Sequence, residues 1–298
     1  MVYLIVNDKW RMVDVTGFIY GFFIVFFTLL GFIIGSFLNV IIYRIPAGRS
    51  VSHGHSMCMT CGHTLGALDL VPVFSWLFLR GKCRYCGAPI ASRYAKIESF
   101  TGLTFLIAAV VAVEYCAPII LWPDNISLIF YTIYFLMFIA ACAVAISAMM
   151  ILYDTGKCFT GFAVTAVVLK VLSSIFPYIL GFYGYNTDTL ILAFEQIVLT
   201  CGKIALPLGI TALLCIAFKR RYGKAELLID TIMLSIPFYG LFFSAGNEYA
   251  RTFITAAVYA SVMCFMRSDK RRKYSAIVPF VIYLVYMAVR FCLIKIFN

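Results

Sequence analysis

Long apolar runs limit what this chain can fold into more than any other feature. Several of them exceed the roughly 20 residues that a helix needs to cross the hydrocarbon core of a bilayer. The chain of 298 residues is 63% hydrophobic and 12% charged, with a mean hydropathy of +0.98. A water-soluble domain of this size cannot carry such a composition on its surface. The sequence therefore predicts an all-α polytopic membrane protein.

Eight transmembrane helices are predicted from these runs. The first run is too long for the hydrophobic core of a signal peptide, so we expect it to be retained. The predicted spans are 17–43, 99–122, 126–153, 159–180, 188–218, 227–245, 252–266 and 274–294. They divide the chain into an N-terminal segment with the first helix (1–43), an extramembrane loop (44–98) and a seven-helix membrane core (99–298).

The basic residues predict the orientation of these helices. Most of the 24 Lys and Arg residues fall in alternate connections, near Arg49, Lys157, Arg220 and Arg271, whereas the opposite connections hold Arg251. Because retained positive charge marks the cytosolic side, we expect both termini outside and the 44–98 loop in the cytosol. The net charge of +11 then reflects this asymmetry and an attraction to anionic headgroups, and it requires no nucleic-acid partner.

Two CxxC pairs in the loop predict a metal site. The four cysteines are Cys58, Cys61, Cys83 and Cys86. The 21 residues between the pairs are close to the spacing of zinc ribbons, and Gly62 and Gly87 follow the pairs in tight turns. Disulfides are the alternative, but a cytosolic location disfavours them. We expect a structural zinc, with His53, His55 and His63 as bystanders because four thiolates complete a tetrahedral site.

The loop and its flanks resemble the type IV prepilin peptidases. The matching segments read GSFLNVIIYRIP from Gly35, CMTCGH from Cys58, LVPVFSWLFLRGKCRYCGAPI from Leu70 and RYAKIESFTG from Arg93. This resemblance implies an inner-membrane aspartyl peptidase that removes short basic leaders from pilin-like precursors at the cytosolic face. Members often also methylate the new amino terminus, which implies S-adenosylmethionine as a second cofactor. Positions matching the region linked to methyl transfer include Asn39, Asp69, Glu98 and Gly102.

The resemblance also implies a pair of catalytic carboxylates. Asp154, in ILYDTGK, matches the family's first aspartate, and the second motif, GxGD, falls on GKAE, which puts Glu226 in the second position. Asp230 lies one helical turn further on and is the alternative partner. The predicted topology places Asp154 and Glu226 at the same membrane face. Both residues are otherwise explained as interfacial caps, since a helix N-terminus favours an acidic side chain such as Glu226.

Two other functions are consistent with parts of the sequence. The glutamate in the second motif favours a relative that has lost hydrolysis but keeps methyl transfer or pilus-assembly binding. Transport is suggested by charged residues inside apolar runs, namely Lys170, Glu195 and Lys203. Such residues are costly in a bilayer, so we expect Lys170 and Glu195 to form a structural pair instead.

Overall fold

The fold is known from a computed structural model, which describes residues 2–6, 9–13, 15–121 and 125–155, with isolated positions beyond 158. The helices of these ranges are α1 (Val15–Arg44), α2 (Phe74–Phe78), α3 (Arg93–Leu121) and α4 (Asn125–Thr155). A 3₁₀ turn at Ala67–Asp69 precedes α2. The described part of the chain is therefore mostly helical, as predicted.

Three helices are long and apolar enough to cross a membrane: Gly17–Arg44, Arg93–Val113 and Phe135–Thr155. They correspond to the first three predicted spans. α3 begins at Arg93, six residues before the predicted start at 99, because charged residues interrupt an apolar run without interrupting a helix. The other five predicted helices, from 159 onward, lie outside the described residues apart from isolated positions.

A two-stranded antiparallel sheet precedes the first helix and was not predicted. Strand β1 (Val2–Val6) pairs with β2 (Lys9–Val13), with Val2 opposite Val13 and Val6 opposite Lys9. The strands are rich in valine, isoleucine and aromatic residues, which favour extended backbone. The strict all-α expectation is therefore wrong for these ten residues.

α1 and α3 pack closely because small residues lie between them. α3 and the part of α1 up to Asn39 belong to one compact unit, Met1–Asn39 with His53–Leu128. A Cβ atom added to Gly31 would lie 2.7 Å from the Cβ of Phe105, and one added to Gly35 would lie 2.8 Å from the Cα of Glu98. Glycine lets two membrane helices approach to this distance, and the resulting contact is tight enough to bury Phe105 completely.

Candidate metal centre and its attachment to the membrane helices

Each CxxC pair forms a short hairpin, and the two hairpins have the same hydrogen bonds. In the first, the Cys58 N–H donates to the His63 carbonyl and the Gly62 N–H donates to the Cys58 carbonyl, both at 2.9 Å. In the second, the Cys83 N–H donates to the Ala88 carbonyl at 2.8 Å and the Gly87 N–H donates to the Cys83 carbonyl at 2.9 Å. We call these hairpins knuckle 1 (Met57–Thr64) and knuckle 2 (Lys82–Pro89), after the bridged residues that close them.

Glycine is required at one position of each knuckle. Gly62 and Gly87 have φ angles of 71° and 69°, in the left-handed region that costs other residues free energy. The reversal of the chain at these glycines brings the residue after each glycine back to pair with the first cysteine, as the Cys58–His63 and Cys83–Ala88 bonds show. The tight turns predicted from the sequence are thus confirmed.

The four thiols converge on one point. The sulfur atoms of Cys58, Cys61, Cys83 and Cys86 all lie within 4.8 Å of one another, and the Sγ atoms of Cys58 and Cys86 are 3.9 Å apart. All four cysteines are free thiols. Four thiolates bound tetrahedrally at ~2.3 Å from a zinc ion would be separated by ~3.8 Å, so the donor set and its geometry fit a metal ion of this type.

The electrostatics of the thiols also favour a cation between them. Backbone N–H groups of Cys61 and Thr60 lower the pKa of the Cys58 thiol to about 6. The Ala88 N–H acts in the same direction on Cys86, but desolvation and the neighbouring thiols outweigh it and raise the pKa of Cys86 to about 12. Because the first thiolate makes ionisation of the last unfavourable, a bound divalent cation is needed to deprotonate the whole set at neutral pH.

Among the residues described, the cluster of potential metal ligands consists of the four cysteines and contains no histidine. His63 instead stacks on Tyr85, with ring centroids 3.6 Å apart, and so joins knuckle 1 to knuckle 2. Tyr85 in turn donates to Asp69 at 3.1 Å. The imidazole therefore supports the cluster from outside.

Asp69 links the 3₁₀ turn to knuckle 2. Its carboxylate accepts a charge-assisted hydrogen bond from Arg84 Nε at 2.7 Å and another from the Gly66 N–H at 3.1 Å. Burial alone would raise the pKa of Asp69, since its side chain is 6% exposed, but hydrogen bonds from Arg84, Gly66 and Tyr85 hold that pKa below its usual value. The carboxylate is thus kept ionised as a fixed acceptor between the 3₁₀ turn and knuckle 2.

A second buried carboxylate attaches the loop to the membrane helices. Glu98 in α3 accepts the Val73 N–H at 2.6 Å through Oε2, and Asn39 Nδ2 of α1 lies 3.5 Å from its Oε1. Asn39 also donates to the Tyr94 carbonyl at 3.2 Å. Glu98 and Asn39 are each 8% exposed. A single carboxylate therefore connects the loop, α1 and α3, five residues away from the end of α1 and from the start of α3.

The turn that Glu98 holds is strained. Val73 has φ 62° and ψ −50°, and the Phe74 N–H donates to the Pro72 carbonyl at 2.6 Å, which defines a classic γ-turn. A positive φ is a genuine outlier for a β-branched residue, so contacts outside the turn must stabilise it. Sequence reasoning placed Glu98 in the matching region but missed this contact, since no local pattern announces a bond across 25 residues.

Of the candidate peptidase residues, the structure describes Asp154 alone. Asp154 is the penultimate residue of α4 and is exposed. Glu226 and its alternative, Asp230, lie outside the described residues, as do Lys170, Glu195 and Lys203. The pairing of Asp154 with a second carboxylate thus stays a prediction.

The described part of the chain is mostly helical, with three helices long and apolar enough to cross a membrane and, between the first two, a loop whose four thiols could hold a metal ion. Residues 29–113 match the family model of the bacterial peptidase A24 N-terminal domain. The predicted resemblance to the prepilin peptidases is confirmed over this part of the chain, which contains α1 from Leu29 onward, both knuckles and most of α3.

Curated relatives carry names that agree with this match. A prepilin leader peptidase/N-methyltransferase of Myxococcus xanthus is 46% identical over 89 residues, which are 30% of this chain and 27% of the relative. One from Dichelobacter nodosus is 37% identical, with 32% and 42% covered. A type 4 prepilin-like proteins leader peptide-processing enzyme of Escherichia coli is 35% identical, with 33% and 39% covered. The chain thus spans less than half the length of these relatives, and no solved structure matches it.

Proposed function

We propose that this chain is an aspartyl endopeptidase of the bacterial inner membrane, with both termini outside, that removes the short basic leader from type IV prepilin-like precursors. The observation that carries the proposal is the match over residues 29–113 to relatives named for this activity. Such a precursor has its own hydrophobic helix, which would lie in the bilayer beside the enzyme. The cut then falls at the cytosolic face, where the predicted topology places Asp154 and Glu226.

Asp154 and Glu226 supply the chemistry in this proposal. One carboxylate takes a proton from a water molecule, which attacks the scissile carbonyl, while the other carboxyl group stays protonated and polarises that carbonyl. Two carboxyl groups held close together share one proton, because two anions side by side are unfavourable near a low-dielectric boundary. The exposed position of Asp154 at the end of α4 leaves it accessible to a substrate.

The metal in this proposal is a structural zinc held by Cys58, Cys61, Cys83 and Cys86. Four thiolates leave no open coordination position, so the ion would fix the two knuckles together rather than activate a water molecule. Methylation of the new amino terminus would need a donor, and the relatives' name implies S-adenosylmethionine. The Asn39 amide nitrogen and the Glu98 carboxylate are engaged by the loop and helices, and the Asn39 Oδ1 atom alone does not define a site for it.

The test is cleavage of a prepilin-like precursor, followed by the mass of the product. Asp154→Asn and Glu226→Gln should each abolish cleavage while the chain stays folded, because each removes a proton-transfer group and keeps its shape. Glu226→Asp should remain active, with a rate changed by up to ~10²-fold through the displaced carboxylate. Asp188→Asn is the control and should cleave normally.

Two other results would show which part of the proposal is wrong. An inactive Asp230→Asn beside an active Glu226→Gln would assign the second role to Asp230. Normal cleavage by Asp154→Asn would contradict the peptidase proposal itself.

A relative that no longer hydrolyses is the second candidate. It is favoured by the glutamate at 226 and by a match that covers the metal loop rather than the second carboxylate motif. Such a protein would bind or methylate prepilins without shortening them. Wild-type protein that methylates a pre-cleaved pilin but leaves the precursor intact would establish this alternative.

A further inference from the structure

The loop carries an apolar face that the described residues leave uncovered. Phe74, Leu77 and Phe78 of α2 are 49%, 55% and 83% exposed, and Leu70 before the helix is 41% exposed. Positions 74, 77 and 78 follow the i, i+3, i+4 spacing, so they lie on one side of α2. We call these four residues the α2 face. Clustered exposed apolar residues of this size mark a surface that contacts an apolar partner.

The opposite side of α2 contacts the residues that flank knuckle 2 on either side. Trp76 donates from Nε1 to the Ile90 carbonyl at 3.0 Å, and a Cβ added to Gly81 would lie 3.0 Å from the Trp76 ring. The indole is therefore turned toward the metal loop. This contact fixes which side of α2 remains available to a partner.

The level of α2 relative to the membrane helices identifies the partner. Val73, directly before α2, is bonded to Glu98, which lies five residues into α3, or ~7.5 Å from Arg93 along the axis. Asn39, beside Glu98, is likewise five residues before α1 ends at Arg44. By this bond α2 begins beside Glu98, inside the length of α3 rather than beyond its first residue. Since the interfacial layer of each leaflet is ~5–8 Å thick, this level corresponds to the boundary between headgroups and acyl chains.

Positive charge lies where headgroups would be. Arg80 and Lys82 follow α2 within four residues of Phe78, and both are exposed. A short apolar face followed by cationic side chains is the pattern of segments that lie in the interface of an anionic bilayer. Positive charges near the surface are attracted to anionic lipid.

We propose that the α2 face lies in the bilayer interface, in the leaflet beside the ends of α1 and α3. Phe74, Leu77 and Phe78 contact acyl chains, and Arg80 and Lys82 contact anionic phosphates. The metal loop is then bound to the lipid surface through α2 instead of extending into water. This position holds whether or not the chain cleaves prepilins.

Photo-crosslinking of the full-length, zinc-loaded chain tests this placement. Benzoylphenylalanine replaces Phe78 in one variant and Met59, a 72% exposed residue of knuckle 1, in the other. Both are irradiated in nanodiscs of phosphatidylglycerol and phosphatidylcholine, and adducts are identified by intact mass. We expect lipid adducts at 78 at least fivefold more abundant than at 59. Equal yields, or adducts at 78 to protein alone, would overturn the proposal and favour a protein partner.

The contribution of Arg80 and Lys82 to lipid binding is measured separately. In pure phosphatidylcholine the adduct yield at 78 should fall at least twofold, and Arg80→Gln with Lys82→Gln should cause the same fall in the mixed bilayer. An unchanged yield in both cases would refute the headgroup contacts. As a check on the bulky probe, a spin label at position 77 should be accessible to oxygen and shielded from a water-soluble nickel complex. Free access of the nickel complex would also overturn the proposal.

Discussion

Glu98 joins three segments of the chain through one carboxylate. It accepts the Val73 N–H from the loop, lies beside Asn39 of α1 and belongs to α3. The Asn39 Oδ1 atom is buried and has no hydrogen-bond partner among the described residues. The site therefore has one acceptor left over and would accommodate one more donor.

Variants of Glu98 should separate these contacts. Glu98→Ala leaves the Val73 N–H without its acceptor, and loss of a hydrogen bond to a charged group costs about 1.5–3 kcal/mol. Amide exchange across 72–78 should then accelerate by roughly 10–100-fold. Glu98→Gln keeps an acceptor for the Val73 N–H but turns its amide donor toward the Asn39 Nδ2 donor, so its exchange should fall between wild type and the alanine variant. Equal protection in the alanine variant would show that the γ-turn does not depend on Glu98.

The metal site should respond to both substitution and pH. Purified wild-type protein should contain about one zinc per chain, and Cys58→Ser with Cys83→Ser should contain none while the membrane helices persist. Because the pKa of Cys86 is about 12 without metal, binding must release its proton, so affinity should rise at least tenfold per pH unit near pH 7. Metal analysis and competition with a chelator measure these quantities. Zinc-free protein, purified reduced and without chelator, would contradict the assignment.

The knuckles were predictable because everything that shapes them is local. Cysteine spacing and the following glycines define two five-residue turns. In the structure a hydrogen bond from the glycine N–H to the carbonyl of the first cysteine closes each turn. The Glu98–Val73 and Trp76–Ile90 contacts join segments far apart in the sequence, so no spacing rule reveals them. α2 itself is five residues long, too short for a periodic signal.

At the scale of elements, the contact between α1 and α3 depends on the absence of side chains. Gly31 and Gly35 form a GxxxG motif in the printed sequence, a signal for close helix packing that hydropathy alone does not use. Their neighbours, Phe105 and the backbone at Glu98, lie within 3 Å of an added Cβ. The lengths of the helices were thus predicted from apolar runs, while their separation follows from two glycines.

Substitution of these glycines should destabilise the pair of helices. In Gly35→Ala the new methyl would meet the Glu98 backbone, which cannot rotate away, so we expect a loss of about 1–3 kcal/mol. Gly21→Ala in the same helix is the matched control, because nothing lies within 4 Å of its added Cβ. Unfolding in detergent measures both. Because alanine itself favours a helix over glycine, Gly21→Ala should be neutral or stabilising, and a loss as large there would show that the effect in Gly35→Ala does not come from the α1–α3 contact.

At the scale of the whole molecule, the distribution of basic residues predicts one orientation. The loop that contains the knuckles carries many of them, including Arg80, Lys82 and Arg84. Positive charge of this kind is retained on the cytosolic side of a membrane. The orientation decides whether the metal site experiences a reducing environment and on which face a substrate would be cut.

Labelling of intact cells tests this orientation. A cysteine introduced by His55→Cys, with other accessible thiols removed, should resist an impermeant maleimide added from outside. It should react fully once the membrane is permeabilised, because His55 is exposed on the loop. Strong labelling before permeabilisation would reverse the topology and move Asp154 away from the cytosolic face.

The γ-turn at Val73 limits how much of the loop structure would persist if the loop were separated from the membrane helices. The backbone bonds that close each knuckle join residues inside that knuckle, whereas the start of α2 depends on an acceptor carried by another helix. A synthetic peptide of residues 45–92 would therefore keep all four cysteines but lose the Glu98 carboxylate that holds the turn before α2. The direction in which the loop leaves the membrane helices thus depends on a residue of α3, and the loop sequence alone does not set it.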